Sequence, residues 1–166
     1  MIELELVGVR VELPANQPIV LLKERSGPRY LPIWIGAVEA TAIAFALQGV
    51  ETARPLTHDL MVDVLEAAGI QVTAVHVTDL REGTYYAELH LRRGDEDIVV
   101  SSRTSDAIAI ATRLEDVPLY GAEAVLDEAG IEIDPDEDED GADPEEEVRE
   151  FREFLDTVTP EDFREQ

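Results

Sequence analysis

The sequence predicts an α+β domain with a mixed, largely antiparallel sheet and three to four packed helices. Segments near the N-terminus alternate apolar and polar residues, as strands with one buried face do. Three further segments between residues 70 and 101 alternate or are rich in β-branched residues. Apolar residues recur at helical spacing between and after these strands. A C-terminal acidic linker and an amphipathic helix are predicted to follow this domain.

The N-terminal third of the chain reads as three strands and a buried helix. Residues 2–7 and 9–13 alternate at period two, and turns rich in Pro and Gly separate the two short apolar strands that follow. Residues 37–48 are apolar nearly all round, which is typical of a buried helix, and Gly49 is suited to end it.

The rest of the domain reads as further helices flanking an antiparallel meander. Thr57 is the predicted N-cap of a second, amphipathic helix that ends at Gly69, and Thr104 or Ser105 is the predicted cap of a third. The remaining predicted elements are strands at 70–80, 84–92 and 97–101, the third helix at 106–113 and a fourth helix at 121–129.

Charge and composition divide the chain into a domain and a tail. Residues 131–166 hold 17 acidic and 3 basic residues, out of a net charge of −25 for the whole chain. We expect a folded domain over residues 1–131, a disordered acidic linker over 132–147 and a terminal amphipathic helix over 148–160.

The composition of the chain also limits the cellular location and the kinds of partner that we expect. The chain has no cysteine, no apolar run long enough for a membrane span and acidic residues in place of a secretory signal, so we expect a cytoplasmic protein without membrane contact. A largely apolar first helix predicts a homo-oligomer. Because the domain is acidic, contact with an anionic substrate requires a local cationic patch or a bound divalent cation.

Three segments together resemble the bifunctional nuclease family. They are 31–36 (Leu-Pro-Ile-Trp-Ile-Gly) with Glu39-Ala40 and Ala42-Ile43, then 54–60 (Arg-Pro-Leu-Thr-His-Asp-Leu), then 103–109 (Arg-Thr-Ser-Asp-Ala-Ile-Ala). The resemblance implies an α/β domain that cleaves DNA and RNA. The chain departs from the family pattern Asp-Ala-Arg-Pro-Ser-Asp at Ser101 and Thr104; if that first Asp is a metal ligand in the family, Ser101 weakens the cation site here by one charge.

The residues of these segments suggest a phosphodiester-cleaving site at the starts of the second and third helices. Helix N-termini favour anions, and carboxylates favour Mg²⁺ or Mn²⁺. Our candidates are His58, Asp59 and Asp106 for catalysis, Arg54, Arg103 and Ser105 for substrate binding, and Asp59, Asp106 and Glu39 as ligands of Mg²⁺ or Mn²⁺.

Structural roles explain the same residue types. Asp59 and Asp106 would equally complement helix dipoles, and Arg54 and Arg103 would equally form internal salt bridges with them. His58 is as consistent with a structural histidine as with a catalytic one. His76 and His90, both on predicted strands, read as surface or packing residues.

Two functions from different classes therefore remain open at this point, beside a small-molecule or anion-binding domain that would use the same helix N-termini. The first is a metal-dependent nuclease that hydrolyses DNA and RNA without strong sequence preference. The second is a non-catalytic oligomeric binding or regulatory domain that engages a protein partner through its acidic tail.

Overall fold

The computed structural model of the chain describes residues 1–12 and 14–133. The predicted terminal helix and nearly all of the predicted acidic linker lie outside the described residues. The described elements, in chain order, are β1 (Ile2–Glu12), β2 (Gln17–Glu24), β3 (Arg29–Trp34), α1 (Ala37–Leu47), α2 (Thr57–Ala67), β4 (Gln71–Arg81), β5 (Thr84–Arg93), β6 (Glu96–Arg103), α3 (Thr104–Ala111), β7 (Leu119–Gly121), α4 (Glu123–Ala129) and β8 (Ile131–Glu132).

All eight described strands join one sheet in the order β6-β5-β4-β7-β1-β2-β3-β8. Each neighbouring pair is antiparallel except β4 and β7, which run parallel. The α+β class, the mixed sheet and its antiparallel meander are confirmed. β7 lies between β1 and β4, so it joins the N-terminal strands β1, β2 and β3 to the meander of β4, β5 and β6.

Two short strands were missed by the sequence patterns. The predicted fourth helix was placed from residue 121, but Gly121 belongs to β7, where it pairs with Ile2 and Val77, and α4 begins at Glu123. β8 is only two residues long and pairs with β3. Elements this short contain too few residues to show a period.

The predicted helix caps were also wrong. The cap positions of α2 and α3 are Leu56 and Arg103, and Thr57 and Thr104 are the first residues inside the helices. The Asp59 carboxylate accepts the Leu56 backbone N–H at 2.8 Å. An acidic side chain at the third helical position commonly satisfies the N–H of the cap residue in this way.

The hydrophobic core lies between the sheet and the helices. α3 is buried along its whole length and packs on β4, β5 and β6, while α1 packs on β1 and β2. Leu89 and Leu91 of β5 point toward α3 together with Val75 and Val77 of β4. Since side chains alternate along a strand, the residues between these positions face the other side of the sheet.

None of the helices in the described part of the chain has the length and hydropathy needed to span a membrane. Self-association stays a prediction. α1 is consistent with it, because Val38 and Leu47 are 55% and 50% exposed.

Candidate functional site

The first turns of α2 and α3 meet through a histidine and an aspartate. His58 Nε2 lies 2.9 Å from Asp106 Oδ1, although 48 residues separate them in the chain. His58 is buried, and Asp106 is partly buried beside it. The sequence expectation that the starts of these helices approach each other is therefore matched by the geometry of this pair.

Arg103 joins this pair to the first turn of α1. Its Nε donates to Asp106 Oδ2 at 2.6 Å, and its Nη2 donates to Glu39 Oε1 at 2.8 Å and to Asp106 Oδ1 at 3.1 Å. Residue 103 is the last of β6, so the end of this strand places the guanidinium between two helix N-termini. The Arg103 side chain is 66% exposed, so solvent and solutes reach it.

These contacts keep Asp106 ionised. Burial alone raises the pKa of Asp106, but the hydrogen bonds from Arg103 and His58 outweigh burial, so that its pKa lies below the usual value. The hydrogen bond to Asp106 likewise raises the pKa of Arg103, which Glu39 reinforces. Asp106 is thus a carboxylate shared between an imidazole and a guanidinium.

An open cleft of about 880 Å³ lies against this group, between α1 and the start of α2. One part of its wall is polar and is formed by Glu39, His58, Arg103 and Asp106. Apart from Thr41 and Thr57, the rest of the lining is apolar, and its members are Ala37, Val38, Ala42, Pro55, Leu56 and Met61. The cleft therefore offers ionic and apolar contacts to one ligand, an arrangement typical of small-ligand sites.

Asp59 faces away from this cleft. Its Oδ1 accepts a hydrogen bond from Arg113 Nε at 2.5 Å, and this contact, more than any other, lowers the pKa of Asp59. Arg113 also donates to the backbone oxygens of Ala109 and Ala42 at 2.7 and 3.0 Å. Asp59 and Arg113 therefore connect α1, α2 and the end of α3, which is a structural role.

Arg54 and Ser105 are likewise outside the lining of the cleft. Arg54 is exposed on the loop that precedes α2, and Ser105 is buried within α3. Of the predicted site residues, the structure thus brings together Glu39, His58, Arg103 and Asp106, while Arg54, Asp59 and Ser105 lie outside the cleft lining.

The predicted carboxylate ligands do not converge on one point. Arg103 already occupies the space between Glu39 and Asp106, and Asp59 is bound to Arg113. The cleft residues as arranged therefore do not fit a divalent ion. Within the described ranges, the one group of three metal-ligand side chains that lie close together is His76, Glu88 and His90.

Sequence reasoning read His76 and His90 only as surface or packing residues. The signal that could have found the group is the meander itself, because the register of β4 on β5 pairs His76 with Glu88. The same register places Ser101 of β6 opposite Glu88. Ser101 is therefore on the side of this group and not in the cleft, so the missing carboxylate does not weaken the cleft.

Residues 20–134 match the Bifunctional nuclease domain family, which is more than half of the chain. The chain belongs to the bifunctional nuclease domain family. The matched residues include Glu39, His58, Arg103 and Asp106, which form the whole polar wall of the cleft.

Relatives of two kinds are found. An uncharacterized protein of Mycobacterium tuberculosis (strain ATCC 25618 / H37Rv) is 52% identical over 164 residues, which is 98% of each chain. Bifunctional nuclease 2 of Arabidopsis thaliana is 36% identical over 107 residues, 63% of this chain and 32% of the plant protein. Bifunctional nuclease 2 of Oryza sativa subsp. japonica is 31% identical over 116 residues, 68% of this chain and 35% of the rice protein.

The bifunctional nuclease domain is thus shared with plant proteins of which this chain spans about a third. The similarity to the M. tuberculosis protein instead runs through nearly the whole chain, including the acidic tail.

Proposed function

We propose that this chain hydrolyses phosphodiester bonds of DNA and RNA in the cleft between α1 and α2. The observation that carries the proposal is the Asp106 carboxylate shared by His58 and Arg103 at the polar wall of the cleft. Membership of the bifunctional nuclease domain family and the names of the plant relatives support the reaction class.

His58 is the proton-transfer group in this proposal. Its Nε2 is engaged by Asp106 Oδ1, which favours the tautomer that carries the proton on Nε2 and leaves Nδ1 as the basic nitrogen. An ionised Asp106 also stabilises the imidazolium that forms when Nδ1 accepts a proton. Asp106 therefore positions the base and does not exchange the proton itself.

A nuclease for both DNA and RNA needs water as its nucleophile, because DNA lacks the 2′-hydroxyl that RNA offers. His58 accepts a proton from that water as its oxygen bonds to phosphorus, and the bond from phosphorus to the leaving oxygen then breaks. The proton returns to the leaving oxygen. Proton transfer of this kind typically contributes about 10²- to 10⁴-fold to a rate.

Arg103 is the phosphate-binding group. It uses Nε and Nη2 for Asp106 and Glu39, which leaves Nη1 for a phosphate oxygen. The exposed guanidinium is accessible to a polymer, and a planar fork of donors suits phosphate geometry. The apolar wall with Val38 and Met61 supplies a surface for a base or sugar, which explains binding without base-specific contacts.

The sequence predicts Mg²⁺ or Mn²⁺ bound by Asp59, Asp106 and Glu39, but these carboxylates do not converge on one point. Because Arg103 occupies the space between Glu39 and Asp106, the proposed hydrolysis uses these side chains without an ion. The side-chain roles predict the same ranking of variants whether the assay contains a divalent ion or a chelator.

The test is hydrolysis of labelled single-stranded DNA and RNA by the full chain and by four variants purified identically. We expect His58→Ala and Asp106→Asn to lower the rate by at least about 100-fold and Arg103→Lys to raise the KM. Asp63→Asn is the matched control. It removes an exposed carboxylate of α2, the helix that carries His58, and Asp63 does not line the cleft.

Full activity in both His58→Ala and Asp106→Asn would show that hydrolysis does not take place at the proposed site. Activity that is equal in all variants and varies between preparations would instead indicate a contaminating nuclease. Folding of each variant is checked by its circular dichroism and unfolding midpoint, so that loss of activity is not confused with loss of structure.

A further inference from the structure

A second cluster of functional side chains lies on the sheet, away from the cleft. His76 of β4 stands directly opposite Glu88 of β5, and His90 follows Glu88 two residues along the same strand. One ligand atom from each of the three side chains lies within 4.8 Å of the others. We refer to these three residues as the His–Glu–His triad.

The triad and the cleft are on opposite faces of the sheet. Along β5, Glu88 and His90 alternate with Ala87, Leu89 and Leu91, which are buried in the core beneath α3. His76 alternates in the same way with Val75 and Val77. The cleft lies among the helices on the core side, so an ion at the triad would not touch a substrate in the cleft.

The triad contains a buried nitrogen without a partner. His90 Nε2 is shielded from solvent and makes no hydrogen bond to any described residue. It lies 3.4 Å from Glu88 Oε2, close enough for charge attraction but without the geometry of a hydrogen bond. A buried polar atom that makes no hydrogen bond is costly, and a cation between the nitrogen and the carboxylate would satisfy both.

The two imidazoles are held as a pair. Their ring centroids lie 3.8 Å apart with the planes tilted by 35°, and Tyr120 of β7 packs edge-on against His76 at 5.2 Å. Burial, and then the charge of His90, lower the pKa of His76, which favours its neutral form.

We propose that His76, Glu88 and His90 bind a divalent transition-metal ion, represented by Zn²⁺, through two imidazole nitrogens and one carboxylate. Two nitrogens and one oxygen suit Zn²⁺, whereas Mg²⁺ prefers oxygen ligands alone. The Glu88 side chain is 39% exposed, so the carboxylate side of the site borders solvent. This site is independent of the proposed nuclease activity.

The composition of the chain provides a matched control. There are three histidines, and His58 is the one outside the triad. Zn²⁺ is titrated by calorimetry into the full chain, with excess Mg²⁺ present to occupy the carboxylates of the acidic tail. The titration is repeated with His76→Ala, His90→Ala, the near-isosteric Glu88→Gln and the control His58→Ala.

We expect one Zn²⁺ per chain for the unmodified protein and for His58→Ala. Each triad variant should bind Zn²⁺ at least roughly tenfold more weakly, since even outer-sphere changes at metal sites cost that much. Ring ¹⁵N spectra provide a second readout, in which Zn²⁺ shifts the signals of His76 and His90 and leaves those of His58 in place.

Equal Zn²⁺ affinity in all four variants would overturn the proposal, because it would place the ion on the acidic tail. The absence of saturable binding in the presence of Mg²⁺ would overturn it as well. A folded Glu88→Gln that binds as tightly as the unmodified chain counts against the carboxylate ligand, even if a histidine variant fails to fold. None of these results depends on nuclease activity.

Discussion

Arg113 Nε lies 2.5 Å from Asp59 Oδ1, so that a residue just beyond α3 fixes the first turn of α2. The Arg113 side chain is only 9% exposed, and its other donors reach backbone oxygens of α1 and α3. The spacing between the helices that form the cleft therefore also depends on an ion pair outside the cleft lining.

Asp59→Asn is predicted to change stability more than chemistry. Losing the carboxylate leaves a buried guanidinium without its counter-charge, and we expect the free energy of unfolding to fall by roughly 1–3 kcal/mol. Urea unfolding measures this loss, and the rate per folded molecule should stay within a few fold of the unmodified protein. A folded Asp59→Asn that lost activity as fully as His58→Ala would instead assign Asp59 to catalysis.

The stability of the chain at acidic pH should depend on Asp59 and Asp106, the two carboxyl groups whose pKa values are lowered. The pKa values of Asp59 and Asp106 lie below their ordinary value of 3.8 in the folded chain. At Asp59 the cause is hydrogen bonding from Arg113 and from the Leu56 N–H. At Asp106 hydrogen bonds from Arg103 and His58 outweigh the opposite effect of burial. The unfolded state therefore binds more protons in this range, and stability falls as the pH falls.

The resulting contribution is fully present above pH 3.8 and is lost as the pH falls through the folded pKa values. When the free energy of unfolding is measured with urea at several acidic pH values, it should change less steeply with pH for Asp106→Asn than for the unmodified chain. Asp63→Asn serves as the control with the same change in charge. An Asp106→Asn slope equal to that of the unmodified chain would show that the His58 and Arg103 contacts do not persist in solution.

How far the sequence predicts this site depends on which residues are compared. The family segments placed His58 and Asp106 near each other, and they are in contact. His58 and Asp59 are both candidates from the sequence, but neighbouring residues of a helix point about 100° apart, so only one of them can face Asp106. The sequence alone could not say which.

The His–Glu–His triad was missed for a different reason. It depends on the register of β4 on β5, and that register shifts at two irregularities, between Val72 and Ala74 and between Val77 and Asp79. A shift of one residue would move His76 to the other face of the sheet. Alternation in the sequence predicts the strands, but it does not predict where such irregularities occur.

Thr104→Pro is predicted to stabilise the chain. Thr104 is the first residue of α3, a position that favours proline, and Arg103 before it has φ −67° and ψ 142°, which a following proline allows. Thr104 Oγ1 is buried and makes no hydrogen bond to the described residues. We expect a gain of roughly 1 kcal/mol in the free energy of unfolding.

Thr104→Val separates the two contributions, since it removes the hydroxyl without restricting the backbone. Thermal and urea unfolding of both variants would measure them. If Thr104→Pro were less stable than Thr104→Val, the backbone N–H of residue 104 would have to donate a hydrogen bond in the folded chain.

Ser101→Asp should strengthen the proposed metal site and leave the cleft unchanged. Residue 101 pairs with Glu88 across β5 and β6, so a carboxylate there lies on the triad face, about 5 Å from Glu88 between Cβ atoms. Without an ion the two like charges should cost roughly 0.2–1 kcal/mol. With Zn²⁺ the added charge should raise the affinity about tenfold, which corresponds to about 1.4 kcal/mol.

Val100→Asp is the matched control, because the neighbouring exposed residue of the same edge strand points to the other face. Calorimetry and the Zn²⁺-dependent rise of the unfolding midpoint should distinguish the two variants. If Ser101→Asp and Val100→Asp bound Zn²⁺ with equal affinity, the ion would not be held beside Glu88.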